Sequence, residues 1–118
     1  MSKILKQIAF DLDTKSLKIY YPKNNWRKAY EDIKEYMYSN NFIWIQGSVY
    51  TSKIGMSNSN VRNIVKILQD DYKYLNKCVR DIVVTNIGKT YKLNNLFDKD
   101  MDIPTKREHQ EQIQIKNT

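Results

Sequence analysis

The hydrophobic period of this chain switches between that of a β-strand and that of an α-helix, and the order of these segments limits its fold more than any other feature. The segment from Gln7 to Asp13 places Ile8, Phe10 and Leu12 on one face and polar or small residues on the other. Because successive side chains of a strand point to opposite faces, this alternation predicts a strand with one buried face. The second face carries carboxylates.

Two amphipathic helices are predicted farther along the chain. The first follows a polar connection that contains Pro22 and begins at a capping asparagine, Asn24 or Asn25, and the second begins at Ser57 or Asn58. The apolar residues of both recur at helical spacing: Trp26, Ala29, Tyr30, Ile33 and Met37 in the first, and Val61, Ile64, Val65, Leu68, Tyr72 and Leu75 in the second. Each helix therefore has one apolar stripe to bury against a sheet.

The remaining apolar segments predict strands. Phe42 to Tyr50 is rich in β-branched and aromatic residues, and its glycine divides it into short strands over 42–46 and 48–53. A strand is predicted over Val79 to Ile87, and a further C-terminal strand is a candidate over Tyr91 to Phe97. The order βαββαβ with right-handed crossovers gives an α+β, ferredoxin-like sandwich, in which an antiparallel sheet carries both helices on one face.

The helix-free face of such a sheet needs a cover. It is expected to carry Trp44 or its neighbours on the middle strands. Burial against a second copy of the chain would remove these side chains from water. We therefore predict a homodimer.

The length of 118 residues allows a single compact domain and a tail. Residues 98–118 have no aromatic side chain and are rich in charged residues and glutamine, which predicts a domain over 1–97 followed by a flexible polar tail. The chain has 20 Lys and Arg against 13 Asp and Glu, a formal net charge of +7. This charge favours a polyanionic partner such as nucleic acid.

The counts of a few residue types exclude several kinds of site. Cys78 and His109 are the only residues of their types, so one chain cannot assemble a zinc set. Gly47, Gly55 and Gly88 are too scattered for a phosphate-binding loop. The chain has no secretory signal and no apolar run of about 20 residues, so we expect a cytoplasmic protein that does not enter a membrane.

Asp11 is the first candidate for chemistry, because it lies within the first predicted strand on the face opposite Ile8 and Phe10. An acid inside a strand is disfavoured by β-propensity and by desolvation, so its presence calls for a reason. The catalytic interpretation stands beside a structural one, in which Asp11 or Asp13 ends a strand or begins a turn.

Other polar residues lie near the predicted strand ends. Ser48 and Tyr50 follow the bend at the glycine of the second segment and offer hydroxyl groups, although ordinary strand packing is the simpler explanation. Arg80 is followed by Asp81, and the two are interpreted most simply as an ion pair or as a solvated strand end.

Four segments resemble one known family in content, order and approximate spacing: IAFDLD, AYEDI, FIWIQGSVYTS and VRDI. Over roughly residues 7–87 they are similar to virulence-associated protein D (VapD). Members of that family are small bacterial proteins, often toxins of toxin–antitoxin pairs, with a ferredoxin-like fold related to the small CRISPR adaptation nuclease. This chain differs in its polar tail after Phe97 and in the sequence VVTNIG after VRDI.

The resemblance implies an endoribonuclease that acts on RNA as a homodimer, with a protein antitoxin as a further partner. It implies that Asp11 is the catalytic acid at the end of the first strand and that Ser48 and Tyr50 are supporting polar groups. Gln46 and Arg80 are expected to contact the substrate.

Asp11 fits two roles in RNA cleavage, as a general base or as a Mg²⁺ ligand. One carboxylate makes a poor metal site, but two Asp11 side chains that meet across the twofold axis of a dimer could bind one ion. Ser48 and Tyr50 could donate hydrogen bonds to phosphate oxygens. The residue types leave the choice between base and metal ligand open.

Two other functions remain open. One is a nucleic-acid-binding module without catalysis, which the positive charge and the helix-free sheet face favour. The other is a structural or regulatory dimer that binds a protein antitoxin, with Asp11 and Asp13 buried at the interface. The fold alone does not decide, because ferredoxin-like sandwiches host many functions.

Overall fold

The computed structural model describes residues 3–106, which form one antiparallel sheet with helices packed on one face. The strands are β1 (Leu5–Leu12), β2 (Phe42–Gln46), β3 (Val49–Ser52) and β4 (Val79–Ile87), in the spatial order β2-β3-β1-β4. The helices are α1 (Thr14–Tyr20), α2 (Lys28–Ser39), α3 (Asn58–Asp71) and α4 (Leu75–Cys78). This architecture confirms the predicted α+β, ferredoxin-like sandwich.

The alternation of β1 decides which side of the sheet is buried. Ile8, Phe10 and Leu12 are buried against the helices, whereas Asp11 is exposed on the helix-free side, which we call the outer face. Burying each such large apolar side chain contributes about 1.5–3 kcal/mol. The helix stripes join the same core, as predicted, through Ala29, Ile33 and Met37 of α2 and Val61 and Leu68 of α3.

Two short helices, α1 and α4, were not predicted from the sequence, and Leu75, expected on the stripe of the second predicted helix, belongs to α4. Thr14–Tyr20 forms α1 inside the stretch expected to be a polar connection, and β1 ends at Leu12, one residue before the predicted end at Asp13. Leu17 is the one buried residue of α1. A seven-residue helix with one buried side chain has no apolar stripe that a periodicity analysis can detect.

The next helix begins later than the sequence indicates. Asn25 accepts hydrogen bonds from the Arg27 N–H at its side chain and from the Lys28 N–H at its carbonyl, both at 3.1 Å. These bonds form a turn, and regular helix starts at Lys28. The predicted capping asparagine therefore stabilises the approach to α2 rather than its first turn.

The additional C-terminal strand predicted over Tyr91 to Phe97 is wrong. Within residues 3–106 this segment pairs with no strand, and its regular structure is one short 3₁₀ helix, Asn94–Leu96. A strand needs a neighbouring edge to satisfy its N–H and C=O groups, and the segment meets neither edge of the sheet. Residues 98–106 are exposed, and the remainder of the predicted tail, 107–118, lies outside the described residues.

Of the residues expected on the helix-free face, Trp44 or its neighbours on middle strands, a neighbour lies there and Trp44 does not. β2 is an edge strand, and Trp44 lies directly opposite Tyr50, which is buried in the core. Directly opposed residues share a face, so Trp44 lies on the helix side. Its neighbour Ile43, opposite Thr51, is the residue that faces the open side, together with Val83 of β4.

Helix length also bears on membrane insertion. Among residues 3–106, no helix combines the length and the apolar character that crossing a bilayer requires.

Gly55 lies where the loop before α3 crosses the start of the chain. A Cβ atom at this position would lie 2.1 Å from the Lys3 carbonyl oxygen, and the next residue, Met56, donates its N–H to the Ile4 carbonyl at 3.0 Å. Gly55→Ala should therefore force two backbones apart and lower the free energy of unfolding by about 1–3 kcal/mol, as measured by urea denaturation. Gly88→Ala is the matched control, because a Cβ there meets nothing within 4 Å. Equal midpoints for both variants would contradict the steric argument.

Candidate active site

Asp11 and Arg80 form an ion pair at one end of the sheet. Arg80 Nη2 donates a hydrogen bond to Asp11 Oδ1 at 3.1 Å. The two side chains are 63% and 55% exposed, so water screens the pair and a competing anion can displace it. The hydrogen bond from Arg80 to Asp11 raises the pKa of the guanidinium above its ordinary value, which keeps it cationic.

A β-bulge brings Arg80 to this position. Asp11 pairs with Asp81, but the next residue of β1 pairs with Val79, so Arg80 is an extra residue in β4. Val79 and Ile82 both pack against the core, and Arg80 and Asp81 therefore lie together on the outer side between them. Bulges of this kind turn side chains toward functional sites in many proteins.

Asp81 is a candidate that sequence reasoning missed as a site residue. It is exposed and lies directly opposite Asp11 on the neighbouring strand. Two like charges in this arrangement repel each other. Arg80 forms its ion pair with Asp11 and not with the adjacent Asp81, with which a pair was one interpretation of the sequence. The sequence signal that could have identified Asp81 is the aspartate of the VRDI segment, but only the strand register shows that this aspartate lies beside Asp11.

Asp13 has a structural role. Its carboxylate accepts hydrogen bonds from the Lys15 N–H at 3.2 Å and from the Ser16 hydroxyl at 2.7 Å, and it thereby caps the N-terminus of α1. The Ser16 hydroxyl is the main cause that lowers the pKa of Asp13 below its ordinary value. The structural interpretation therefore holds for Asp13, which follows β1 and caps the beginning of α1.

The turn between β2 and β3 lies on the other side of Asp11. The N–H of Phe10, the residue before Asp11, donates to the Ser48 carbonyl at 2.9 Å. Gly47 has a φ of 48°, in the left-handed region that a residue without Cβ adopts easily. Gln46 pairs with Val49, which in turn pairs with Ala9 on the outer face, so Gln46 faces the same side as Asp11.

Tyr50 lies on the opposite face of the sheet from Asp11. It pairs with Ile8 and is 3% exposed, and burial raises the pKa of its hydroxyl to about 12. Tyr50 and Ser48 line a cavity of about 350 Å³ between the hairpin and α2. The structure therefore brings Asp11, Arg80 and Gln46 to one face and places Tyr50 behind them.

Contacts around this cavity hold the turn in place. Trp44 Nε1 donates to the Gly47 carbonyl at 2.8 Å, and Lys34 Nζ of α2 lies 4.6 Å from the centre of the Trp44 ring. The Phe10 and Tyr50 rings meet edge to face at 6.1 Å between centroids. These contacts fix the turn, and with it Gln46 and Ser48, relative to β1.

The residues available for a metal ion are carboxylates. Within residues 3–106, no group of three or more His, Cys, Asp or Glu side chains is placed to hold one. Asp11 and Asp81 supply two neighbouring carboxylates from one chain, and such oxygens suit a hard cation such as Mg²⁺. His109 lies outside the described residues, and burial raises the pKa of the Cys78 thiol, which makes it a poor nucleophile.

Comparison with known proteins supports the resemblance. No family model matches the sequence. The chain is 31% identical over 80 residues to a protein named Endoribonuclease VapD 2 from Riemerella anatipestifer, and the match covers 68% of this chain and 85% of that protein. This match confirms the resemblance that the four sequence segments indicated.

The Asp13 cap predicts a pH-dependent contribution to stability. Because the native pKa of Asp13 is lowered from its ordinary value of 3.8, the stabilisation is present above that value and is lost as the pH falls through the native pKa. Asp13→Ala should therefore lower the urea midpoint at neutral pH, and the difference from wild type should shrink in strong acid. Asp11→Ala is the control and should change the midpoint little. A difference that does not depend on pH would contradict the carboxylate cap.

Proposed function

The chain belongs to the VapD family, and from this premise we propose that it is an endoribonuclease that cleaves single-stranded RNA where Asp11 and Arg80 lie. The observation that carries the proposal is the Asp11–Arg80 pair at 3.1 Å, placed on the outer face by a bulge. A carboxylate that can accept a proton and a cation that can bind a phosphate oxygen are two groups that assist phosphoryl transfer.

Asp11 acts as the general base. It accepts the proton from the oxygen that attacks phosphorus. As the P–O bond to the leaving oxygen breaks, that oxygen takes a proton from water or from the protonated Asp11, and Arg80 binds the non-bridging oxygens on which negative charge accumulates. Since the ion pair between them is more than half exposed, an RNA phosphate can compete for the guanidinium and release the Asp11 carboxylate for proton transfer. The free enzyme thus holds the base and the phosphate ligand together until substrate arrives.

The β2–β3 turn supplies further contacts. Gln46 shares the outer face with Asp11, and the Ser48 backbone is bonded to the neighbour of Asp11, so both lie along the proposed RNA path. Tyr50 is a positioning residue in this scheme. Its ring packs against Phe10 behind the site and holds the turn beside β1.

A divalent ion is compatible with the same residues. The carboxylates of Asp11 and Asp81 would hold it, and a second copy of the chain would add two more at the shared interface. Such an ion would stabilise negative charge on the phosphate.

The active form is a homodimer joined through the outer face. Ile43 and Val83 on this face are 38% and 48% exposed, and partly buried apolar residues of β1 and β3 lie between them. Packing two such faces together removes apolar area from water and brings the Asp11 residues of both copies into one interface. Asp11 lies at the end of the sheet, where the rim of the interface stays open to RNA.

A role as the toxin of a toxin–antitoxin pair fits this activity. A nuclease that cleaves cellular RNA must be restrained in its own cell. A protein antitoxin could do so by covering Asp11 and Arg80, since both are more than half exposed in the free chain.

Asp11→Asn tests the catalytic assignment. The substitution keeps the size of the side chain and removes the charge that a base or a metal ligand needs, so cleavage of a labelled single-stranded RNA should fall about 100-fold or more. Assays with and without EDTA separate the two roles, because only a metal ligand makes wild-type cleavage sensitive to the chelator. Asp13→Asn is the matched control and should retain the wild-type rate per folded molecule. Equal rates for wild type and Asp11→Asn would remove Asp11 from the mechanism, and binding without cleavage by wild type would favour a non-catalytic module.

Val83→Lys tests the dimer. A charge on the outer face should shift sedimentation toward the monomer mass of 14.1 kDa, because burying an unpaired ammonium group in the interface is unfavourable. Ile67→Lys introduces the same charge at an exposed position of α3 and should leave the dimer intact. A wild-type chain that sediments as a monomer at micromolar concentration would contradict the proposal.

A further inference from the structure

A second cleft lies on the helix side of the molecule, away from the outer face. It has a volume of about 640 Å³ and is formed where the end of α1 meets the connection between α3 and α4. Aromatic rings line its interior and lysines its rim: Tyr20, Tyr72 and Tyr74, and Lys23, Lys73 and Lys77. None of the site residues discussed above takes part in it.

Three tyrosines that line the cleft contact one another. The Tyr74 ring meets Tyr21 edge to face at 5.0 Å and Tyr72 at 6.2 Å between centroids. Asp32 of α2 accepts hydrogen bonds from the hydroxyls of Tyr21 and Tyr74 at 3.2 and 3.0 Å, which ties three segments of the chain together. Edge-to-face rings leave flat surfaces at an angle to each other, and a planar ligand can stack on such a surface without rearrangement of the walls.

The rim of the cleft carries three lysines. Lys23, Lys73 and Lys77 are exposed, and in the described part of the chain none of them forms an ion pair. Asp32 and Asp71 also line the cleft, so its three lysines outnumber its two carboxylates by one. Flat aromatic surfaces with lysines beside them are the combination by which proteins hold single-stranded nucleic acid without reading its sequence.

The cleft is connected to the candidate active site through two short segments. α1 begins two residues after β1 ends and spans about 10 Å, and its last residue, Tyr20, lies in the cleft. α4 runs directly into β4, so Lys77 in the cleft is three positions before Arg80. The two segments therefore place one end of the cleft on the same side of the molecule as the end of β1 that carries Asp11.

We propose that the tyrosine–lysine cleft is a second binding site for single-stranded RNA, in which a base stacks on the tyrosines and the flanking phosphates contact the lysines. The proposal rests on the RNA-cleaving function proposed above, and it assigns the cleft to substrate affinity rather than to chemistry. Binding there would hold the part of the RNA that extends beyond the scissile bond.

Tyr20 is the position for the first test, because its ring is 46% exposed and can be removed without opening the core. In an Asp11→Asn background that preserves the RNA, fluorescence anisotropy with a labelled single-stranded oligonucleotide measures affinity. Tyr20→Ala should weaken binding about tenfold, and Tyr20→Phe should bind as the parent does, since stacking needs the ring and not the hydroxyl.

The lysines are tested through the salt dependence of binding. Lys23→Gln with Lys73→Gln should lower the slope of log affinity against log salt by about 0.7 for each lysine. Lys53→Gln with Lys66→Gln removes the same charge outside the cleft and should leave the slope unchanged.

The outcomes separate this proposal from the proposed function. If the wild-type chain cleaves RNA while all cleft variants bind like the parent, the cleft is not an RNA site and only this inference falls. A protein partner that docks in the cleft would give that same result. If the wild-type chain neither binds nor cleaves RNA, both proposals fall.

Discussion

The central position of β1 is the constraint on which the rest of the molecule depends. It pairs with β3 on one side and β4 on the other, so that Ile8 lies opposite both Tyr50 and Val84. A slip of one residue along either neighbour would turn Asp11 into the core and Phe10 into water, and a buried, unpaired carboxylate is costly. One register therefore sets both the packing of the core and the face on which the acid is presented.

Much of this arrangement can be predicted from the sequence, because alternation in a central strand is a strong signal. The neighbours Ile8 and Phe10 are sufficient to place Asp11 on the outer face, and the two long helices follow from their stripes. Arg80 could not be placed in this way. Counting back from Ile82 by strict alternation puts Arg80 on the helix side, and the bulge that reverses this depends on pairing with a strand far away in the sequence.

Tyr50 illustrates the opposite difficulty. A motif groups residues that are adjacent in sequence, whereas a strand sends adjacent residues to different faces. Tyr50 therefore lies on the helix side of the sheet, although its segment flanks Asp11. Trp44 lies on the same side, because it is directly opposite Tyr50 across the hairpin. Residues of one motif thus lie on different faces of the sheet, with Gln46 on the outer face and Tyr50 packed in the core beneath the turn.

The Asp11–Arg80 pair joins residues that are 69 positions apart in the chain. During synthesis β1 emerges early, but its second neighbour, β4, emerges only after both long helices have been made. Until then the ribosome carries a chain that contains Asp11 without its cation and a central strand with one edge unpaired. A chain made in this order can form the Asp11–Arg80 pair only after β4 has been synthesised, so this ion pair is a late contact of folding.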